Sequence, residues 1–435
     1  MSKEGVINRN WKCLFDRYDI LNRIIEDGTF QISAKQIKEY YEPRLMAKFD
    51  HSSDLPDLFR EHHLSILPIS RGDYVISHFN AYHKFERTRM DTTPVLHFRW
   101  PSYLQSLDEN RISSESIALN CAFASGMIAD FMEEEPYTVF ATVSGRMKSG
   151  RYTFQIGDSR RNARHEINVN NAQIEIDAAY EGVASLALFE AKRELSEDFL
   201  VRQLYYPYRT WRERVTKPVK PVFMIYSNGI YRLYEYVFAD SNDYNSIKLV
   251  KRKNYSVEDT HISITDIQDV LDTAVLQEEP AITFPQADVF DRVINLCELA
   301  NTQEVSRNDV TEHYDFEARQ TNYYTDAARY LGLIHKSIDI KTGVPTYLTT
   351  KQGKRILKLP YKQRQLEFCR VILSHKIFHD TLQLYWKIGA PPSISEIVHI
   401  MKRAGAYHVD SEETYRRRAS TVRGWVNWII GLIHE

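Results

Sequence analysis

The run Leu186-Ala187-Leu188-Phe189 is apolar at four consecutive positions and then breaks into charge at Glu190 and Lys192. Successive strand side chains point to opposite faces, so a run of this kind describes a strand covered on both sides. A chain that contains it must build layers on both faces of a sheet and find partners for the charges at the strand's end. Just upstream, QIEIDAAYEGV sets Glu175 and Asp177 on one strand face, and the short link from Ala178 to Ala184 lets the two strands lie antiparallel. Glu175, Asp177 and Glu190 would then converge with Lys192. Gathered carboxylates repel one another unless a cation joins them, and oxygen ligands of this kind suit Mg²⁺ with several retained waters. A lysine beside the metal can orient an attacking water and stabilise charge developing on a phosphate.

The order of elements gives this strand pair its setting. At 435 residues the chain has room for about three domains. Residues 1–90 begin with an amphipathic stretch, Trp11 to Ile25, with Leu14, Tyr18, Leu21 and Ile25 at helical spacing. A helix capped by Ser33, a third over Leu55 to His63 and a hairpin across Arg71-Gly72 follow, which is the order of a winged helix. From 95 to 275 the pattern predicts a helix over Ser114 to Glu134, strands over 137–144, 151–157, 172–178 and 185–192, a helix over Glu197 to Tyr206, and two strands around Gly229. Residues 255–285 read as a connector. From 286 to 360 a helix over Val289 to Leu299, a segment capped by Ser306, a helix over Glu317 to Leu333 and a strand pair turned at Lys341-Thr342-Gly343 repeat the winged-helix order. Residues 361–435 give three or four further helices.

Asp177, twelve intervening residues, then Glu190-Ala191-Lys192 on an apolar strand resembles the core of the PD-(D/E)XK nucleases, the fold of many type II restriction endonucleases. The resemblance covers roughly 110 to 240. It implies an α/β fold in which a central mixed-sheet nuclease domain is flanked by mainly helical, winged-helix-like DNA-binding domains. It further implies Mg²⁺ held by Asp177, Glu190 and the Ala191 backbone carbonyl, with Lys192 assisting the water. An upstream helix often contributes another acid, for which Glu115 and Glu133 are the candidates and Glu175 a further accessory. Ile176 stands where the family's proline would precede the aspartate. Gln203, with Tyr206 and Tyr208 beyond it, is similar to a glutamine-tyrosine motif of related nucleases. The activity implied is site-specific cleavage of double-stranded DNA by a homodimer, at least when cutting, while a cognate methyltransferase acts separately on the same site. Two readings stay open beside it: a DNA-binding regulator with a degenerate nuclease fold, and a repair nuclease without strict sequence dependence.

Other chemistries find less support. GRMKSGR, residues 145–151, lacks the GK[ST] ending of a phosphate-binding loop, and no dinucleotide fingerprint follows a strand. Pro391-Pro392 lacks the preceding residue that amino-methyltransferases carry there. Cys13, Cys121, Cys297 and Cys369 are far apart and form no CxxC pair, and His51, His62 and His63 are not interleaved with cysteines, which argues against zinc. The N-terminus lacks a signal-peptide core and no run is long and apolar enough for a bilayer, so the expected compartment is the cytoplasm.

A net charge of −2 hides basic stretches that suit a polyanion: seven Lys or Arg lie between Arg202 and Arg232, and six between Lys402 and Arg423. The second winged-helix pattern offers Arg319, Gln320, Asn322 and Arg329 on its recognition helix. Arg can bond guanine at two points and Asn or Gln adenine. Arg416 and Arg423 read as phosphate contacts, because a helix spreads Arg416 to Arg418 around its circumference. Arg44, Lys48 and Arg71 are the corresponding basic residues of the N-terminal module.

Overall fold

The computed structural model describes residues 3–85, 93–108, 112–314, 318–340 and 342–433. The chain divides into two compact units, one of Met1–Glu86, Trp100–Tyr226 and Tyr231–Tyr255, the other of Arg87–Arg99, Ser227–Ile230 and Ser256–Glu435. The architecture is mixed α/β. Among the described residues no helix is long and apolar enough to cross a membrane.

The first unit opens with helices Lys3–Tyr18 and Ile20–Asp27, separated by Asp19 in the left-handed region at φ 49°. That break changes which side chains point inward. Leu14, Ile20 and Ile24 are buried, whereas Ile25, expected on the apolar face, is 70% exposed. Ser33 caps Ala34–Lys38 by a reciprocal capping box with Gln36, and Pro43–Ala47 and Asp57–Glu61 follow. The Ser65–Pro68 and Asp73–Ser77 strands form the expected hairpin at Arg71-Gly72. Phe30–Ser33 pairs with the far side of Asp73–Ser77 to give a three-stranded antiparallel sheet.

Six strands of a mixed sheet characterise this unit. They are Phe140–Lys148 (β1), Gln173–Glu181 (β2), Leu186–Lys192 (β3), Val219–Ser227 (β4), Ile230–Phe238 (β5) and Ile247–Ser256 (β6), and they stand side by side in chain order. β3 runs parallel to β4, and helix Arg202–Arg212 lies between them in the chain as the crossover that a parallel pair requires. β1 and β2, β2 and β3, and β5 and β6 are antiparallel. As the apolar run requires, β3 is buried at Leu186 through Ala191. The β2–β3 link is fastened by Glu134, whose carboxylate accepts the N–H groups of Val183 and Ala184, each at 2.9 Å. A Cβ at Gly182 would stand 2.4 Å from that carboxylate, so any larger residue there would push the Glu134 side chain out of this arrangement. Asn228 and Gly229, both at positive φ, turn the chain from β4 to β5.

Several boundaries differ from the sequence reading, each for a local reason. The helix expected over Ser114 to Glu134 is two, Glu115–Ala124 and Met127–Met132, parted at Gly126 with φ 87°. The helix expected from Glu197 starts only at Arg202, because 198–200 form a short strand paired with Tyr82–Lys84, and it continues through Pro207. A strand over Arg164–Asn170 completes a hairpin with Arg151–Gly157. The expected connector 255–285 contains helix Ile264–Thr273, capped reciprocally by Ser263 and Asp266, with Ile267, Val270 and Leu271 turned inward.

In the second unit, helices Phe290–Thr302, Arg307–Tyr314 and Ala318–Tyr330 precede the Ile334–Ile338 and Pro345–Thr349 hairpin. The short strand Val305–Ser306 pairs with Pro345–Thr349. The strand pairing is that of the three-stranded sheet in residues 30–77, with one helix fewer between the first strand and the hairpin. Glu317 and Lys341, named in the expected helix and turn, lie outside the described residues. Residues beyond 350 form helices Lys351–Leu357, Tyr361–Leu373, Lys376–Ile388, Ile394–Ala404 and Glu412–Gly431, and Trp425 of the last is fully buried.

Candidate functional site

β2 and β3 pair from Leu186 opposite Glu181 to Phe189 opposite Ala178, and there the ladder stops. The next two residues would be Asp177 and Glu190. Past that point the Ala191 N–H has lost its β2 carbonyl and donates to Asp177 Oδ2 at 2.9 Å instead. The strands therefore part at the position where the sequence turns acidic, and Asp177 is held there by the neighbouring strand's backbone.

Glu190 Oε1 accepts from Lys192 Nζ at 2.8 Å and from Gln203 Nε2 at 2.6 Å. Glu190 is 8% exposed, and burial pushes its carboxyl up to about 7 against the pull of Lys192. Burial likewise raises Asp177, with Glu115 and Glu175 adding to the effect while Ala191 N–H and Lys192 oppose it. Lys192 responds in the other direction: burial would discharge it, but Glu190, Asp50 and Glu115 hold its ammonium well above the ordinary lysine value. One lysine thus serves several carboxylates, and Glu190 and Asp177 hold their protons more tightly than usual because burial outweighs its pull.

The structure separates the two candidate upstream acids. Glu115, in the first turn of the Ser114-capped helix, has its carboxyl raised by burial and by Glu194 and Glu190, with Lys192 opposing, so it lies within electrostatic reach of the site. Glu133 stands elsewhere, paired with Lys251 at 2.9 Å. Glu175 is also drawn off, bonded to Arg146 Nε at 3.1 Å with its side chain about half exposed. Of the glutamine-tyrosine residues, Gln203 reaches Glu190 and its Oε1 is buried without a partner. Tyr206 is buried and donates to the Pro68 carbonyl, and Tyr208 packs on Phe238.

Sequence reasoning missed Asp50, whose Oδ2 lies 3.9 Å from Lys192 Nζ and 3.3 Å from Lys48 Nζ. Burial alone would raise its carboxyl, but Lys192, Lys48 and Arg202 outweigh burial and hold it below the usual range. No residue near Asp50 in the sequence marks it.

Among the described residues no three His, Cys, Asp or Glu side chains already meet as metal ligands. Mg²⁺ keeps several waters and needs only one or two carboxylates. Asp177 and Glu190 are two carboxylates of the kind such an ion takes, and the buried, unpartnered Gln203 Oε1 beside Glu190 is compatible with a hydrated cation.

Of the expected DNA contacts, Asn322 is exposed on helix Ala318–Tyr330, Gln320 is half-buried, and Arg329 is paired with Asp326 at 2.7 Å. Asn322, Asp326 and Arg329 line a cleft of about 510 Å³ with Arg307, Lys336 and His408. The Arg319 side chain lies outside the described residues. Arg416 is exposed and Arg423 half-buried, whereas Arg418 is 8% exposed. A further basic element is the turn between Arg151–Gly157 and Arg164–Asn170. There Asp158 accepts the N–H groups of Arg160 and Arg161 at 2.8 and 3.0 Å, and both exposed guanidinium groups lack an acidic partner among the described residues.

Three family models match the chain, each described as a domain of unknown function: DUF6996 over residues 8–76, DUF6997 over 77–256 and DUF7226 over 292–434. No curated protein and no solved structure matches it.

Proposed function

We propose that the chain is a Mg²⁺-dependent, sequence-specific endonuclease for double-stranded DNA, a type II restriction enzyme with a PD-(D/E)XK core and winged-helix modules that read the duplex. The observation that carries this reading is the convergence of Asp177, Glu190 and Lys192 where β2 and β3 part, with Glu115 in electrostatic reach of them. In this reading Asp177, Glu190 and the Ala191 carbonyl would hold Mg²⁺, with Glu115 beside them. When bound, the ion lowers the pKa of a water and offsets charge on the phosphate. Lys192 would orient that water toward phosphorus, where a new P–O bond forms as the bond to the leaving oxygen breaks and that oxygen takes up a proton. The experiment is duplex binding in Ca²⁺ followed by exchange into Mg²⁺: cleavage on exchange supports the reading, and intact DNA contradicts it.

The two acids of the upstream helices give a control internal to the chain. Glu115→Gln should slow single-turnover cleavage by at least about tenfold by removing a carboxylate from the site. Glu133→Gln should leave the rate unchanged, since its partner Lys251 lies outside the site.

Base reading and phosphate contact are expected to separate as well. Asn322→Ala should weaken specific binding by about 1–3 kcal/mol if Asn322 bonds an adenine, with nonspecific affinity changing less. Arg416→Ala, or Arg160→Ala with Arg161→Ala, should weaken cognate and scrambled duplexes alike and flatten the salt dependence by about one unit of slope per lost phosphate contact. Titrations at several salt concentrations distinguish the two patterns.

A further inference from the structure

We propose that Asp50 is a positioning residue that holds the Lys192 ammonium in the cleavage site from the N-terminal module. That module is then part of the cleavage centre as well as a reader of DNA. The inference rests on the nuclease reading above and adds a residue and a domain to it.

Asp50 follows helix Pro43–Ala47, and the chain around it is clamped to the strand that begins at Asp198. Its own carbonyl accepts the Leu200 N–H at 2.8 Å, and His51 Nδ1 lies 2.6 Å from the Asp198 carbonyl. Ser52 donates its N–H and hydroxyl to the two Asp198 oxygens at 3.1 and 2.5 Å, and the Tyr82 hydroxyl donates to the Phe49 carbonyl at 3.0 Å. Four hydrogen bonds thus tie residues 50–52 to 198–200, and a fifth ties Phe49 to Tyr82 on the strand that pairs with them. An ion pair held this way gives up little further conformational freedom when it forms.

The side chain shows what the clamp is set to do. Asp50 Oδ1 is buried and has no hydrogen-bond partner, while Oδ2 faces Lys192 and Lys48. Burying a carboxylate oxygen without a donor opposes folding. Lys48 is nearly half exposed, and water screens its pull, whereas Lys192 is 12% exposed. Glu190, the other close partner of Lys192, is also a proposed Mg²⁺ ligand, and a carboxylate shared with an ion holds an ammonium less firmly. Asp50 supplies the second negative charge that keeps Lys192 in place.

The experiment compares Asp50→Asn and Asp50→Glu with wild type in the full chain. Asp50→Asn should lower the single-turnover rate in Mg²⁺ by about 10²-fold, as expected for a displaced reacting group. Duplex affinity in Ca²⁺ should stay unchanged, and Asp50→Glu should recover most of the rate. Asp50→Ser serves if Asp50→Asn does not fold. A second readout needs no cleavage: the ¹⁵N–¹H signal of the Lys192 ammonium should be sharp in wild type and Asp50→Glu, and broadened or shifted in Asp50→Asn. An unchanged rate together with an unchanged Lys192 signal in Asp50→Asn overturns the inference. Wild-type protein that cleaves no DNA overturns the nuclease reading instead, and the Lys192 signal alone then decides whether Asp50 holds the lysine.

Discussion

Glu190→Gln is expected to abolish cleavage while leaving DNA binding in Ca²⁺ largely intact. The amide can still accept from Lys192 and Gln203, so the packing of β3 survives, but the charge that would hold Mg²⁺ is gone. The same variant makes a stability prediction with a definite sign. Folded protein keeps the Glu190 proton up to about pH 7, whereas an unfolded glutamate releases it near ~4.3. The stabilisation associated with this proton is therefore fully present below the ordinary glutamate range and is lost as pH rises through about 7. Metal-free wild type should lose melting temperature across that window, and Glu190→Gln should lose less. A carboxylate must also be ionised to bind a metal, so cleavage at subsaturating Mg²⁺ should rise with pH through about 7 in wild type. Full activity in Glu190→Gln would remove the residue from the metal site.

Lys192→Met should lower the single-turnover rate by about 10²–10³-fold, the effect of losing one donor aimed at developing charge. Methionine keeps the apolar stem packed, which separates charge from volume. Removing one partner of a buried pair costs about 3–5 kcal/mol when the other stays ionised. Glu190 has a way out, because it can take up a proton, so the destabilisation should be small at pH 6 and grow above about pH 7. Thermal melts at two pH values check this, and a wild-type cleavage rate at saturating enzyme would show that Lys192 takes no part in the reaction.

The strand pair was legible because period-two alternation is local. Leu186 to Phe189 announced a buried strand, and the charges on either side of the short link followed from the same rule. The choice between Glu115 and Glu133 was not legible, because it turns on Gly126, where a left-handed residue breaks one expected helix into two. Helix Ile264–Thr273 could have been found: Ser263 and Asp266 form a capping box ahead of Ile267, Val270 and Leu271. The misplaced start of helix Arg202–Arg212 has another source, since 198–200 become a strand by pairing with Tyr82–Lys84, a partner far away in the chain. Asp50 was hidden for the same reason. Its role comes from a contact between segments whose sequence patterns read as separate domains, and neither segment alone gives a reason to single it out.

The central claim, that Asp177, Glu190 and Lys192 form a Mg²⁺-dependent cleavage site directed by sequence, is tested most directly by digesting unmethylated plasmid DNA and mapping the ends. The account predicts discrete fragments with defined termini in Mg²⁺, none in chelator, and none from the Glu190→Gln protein. Intact plasmid in Mg²⁺, or fragments that persist with Glu190→Gln, would contradict it.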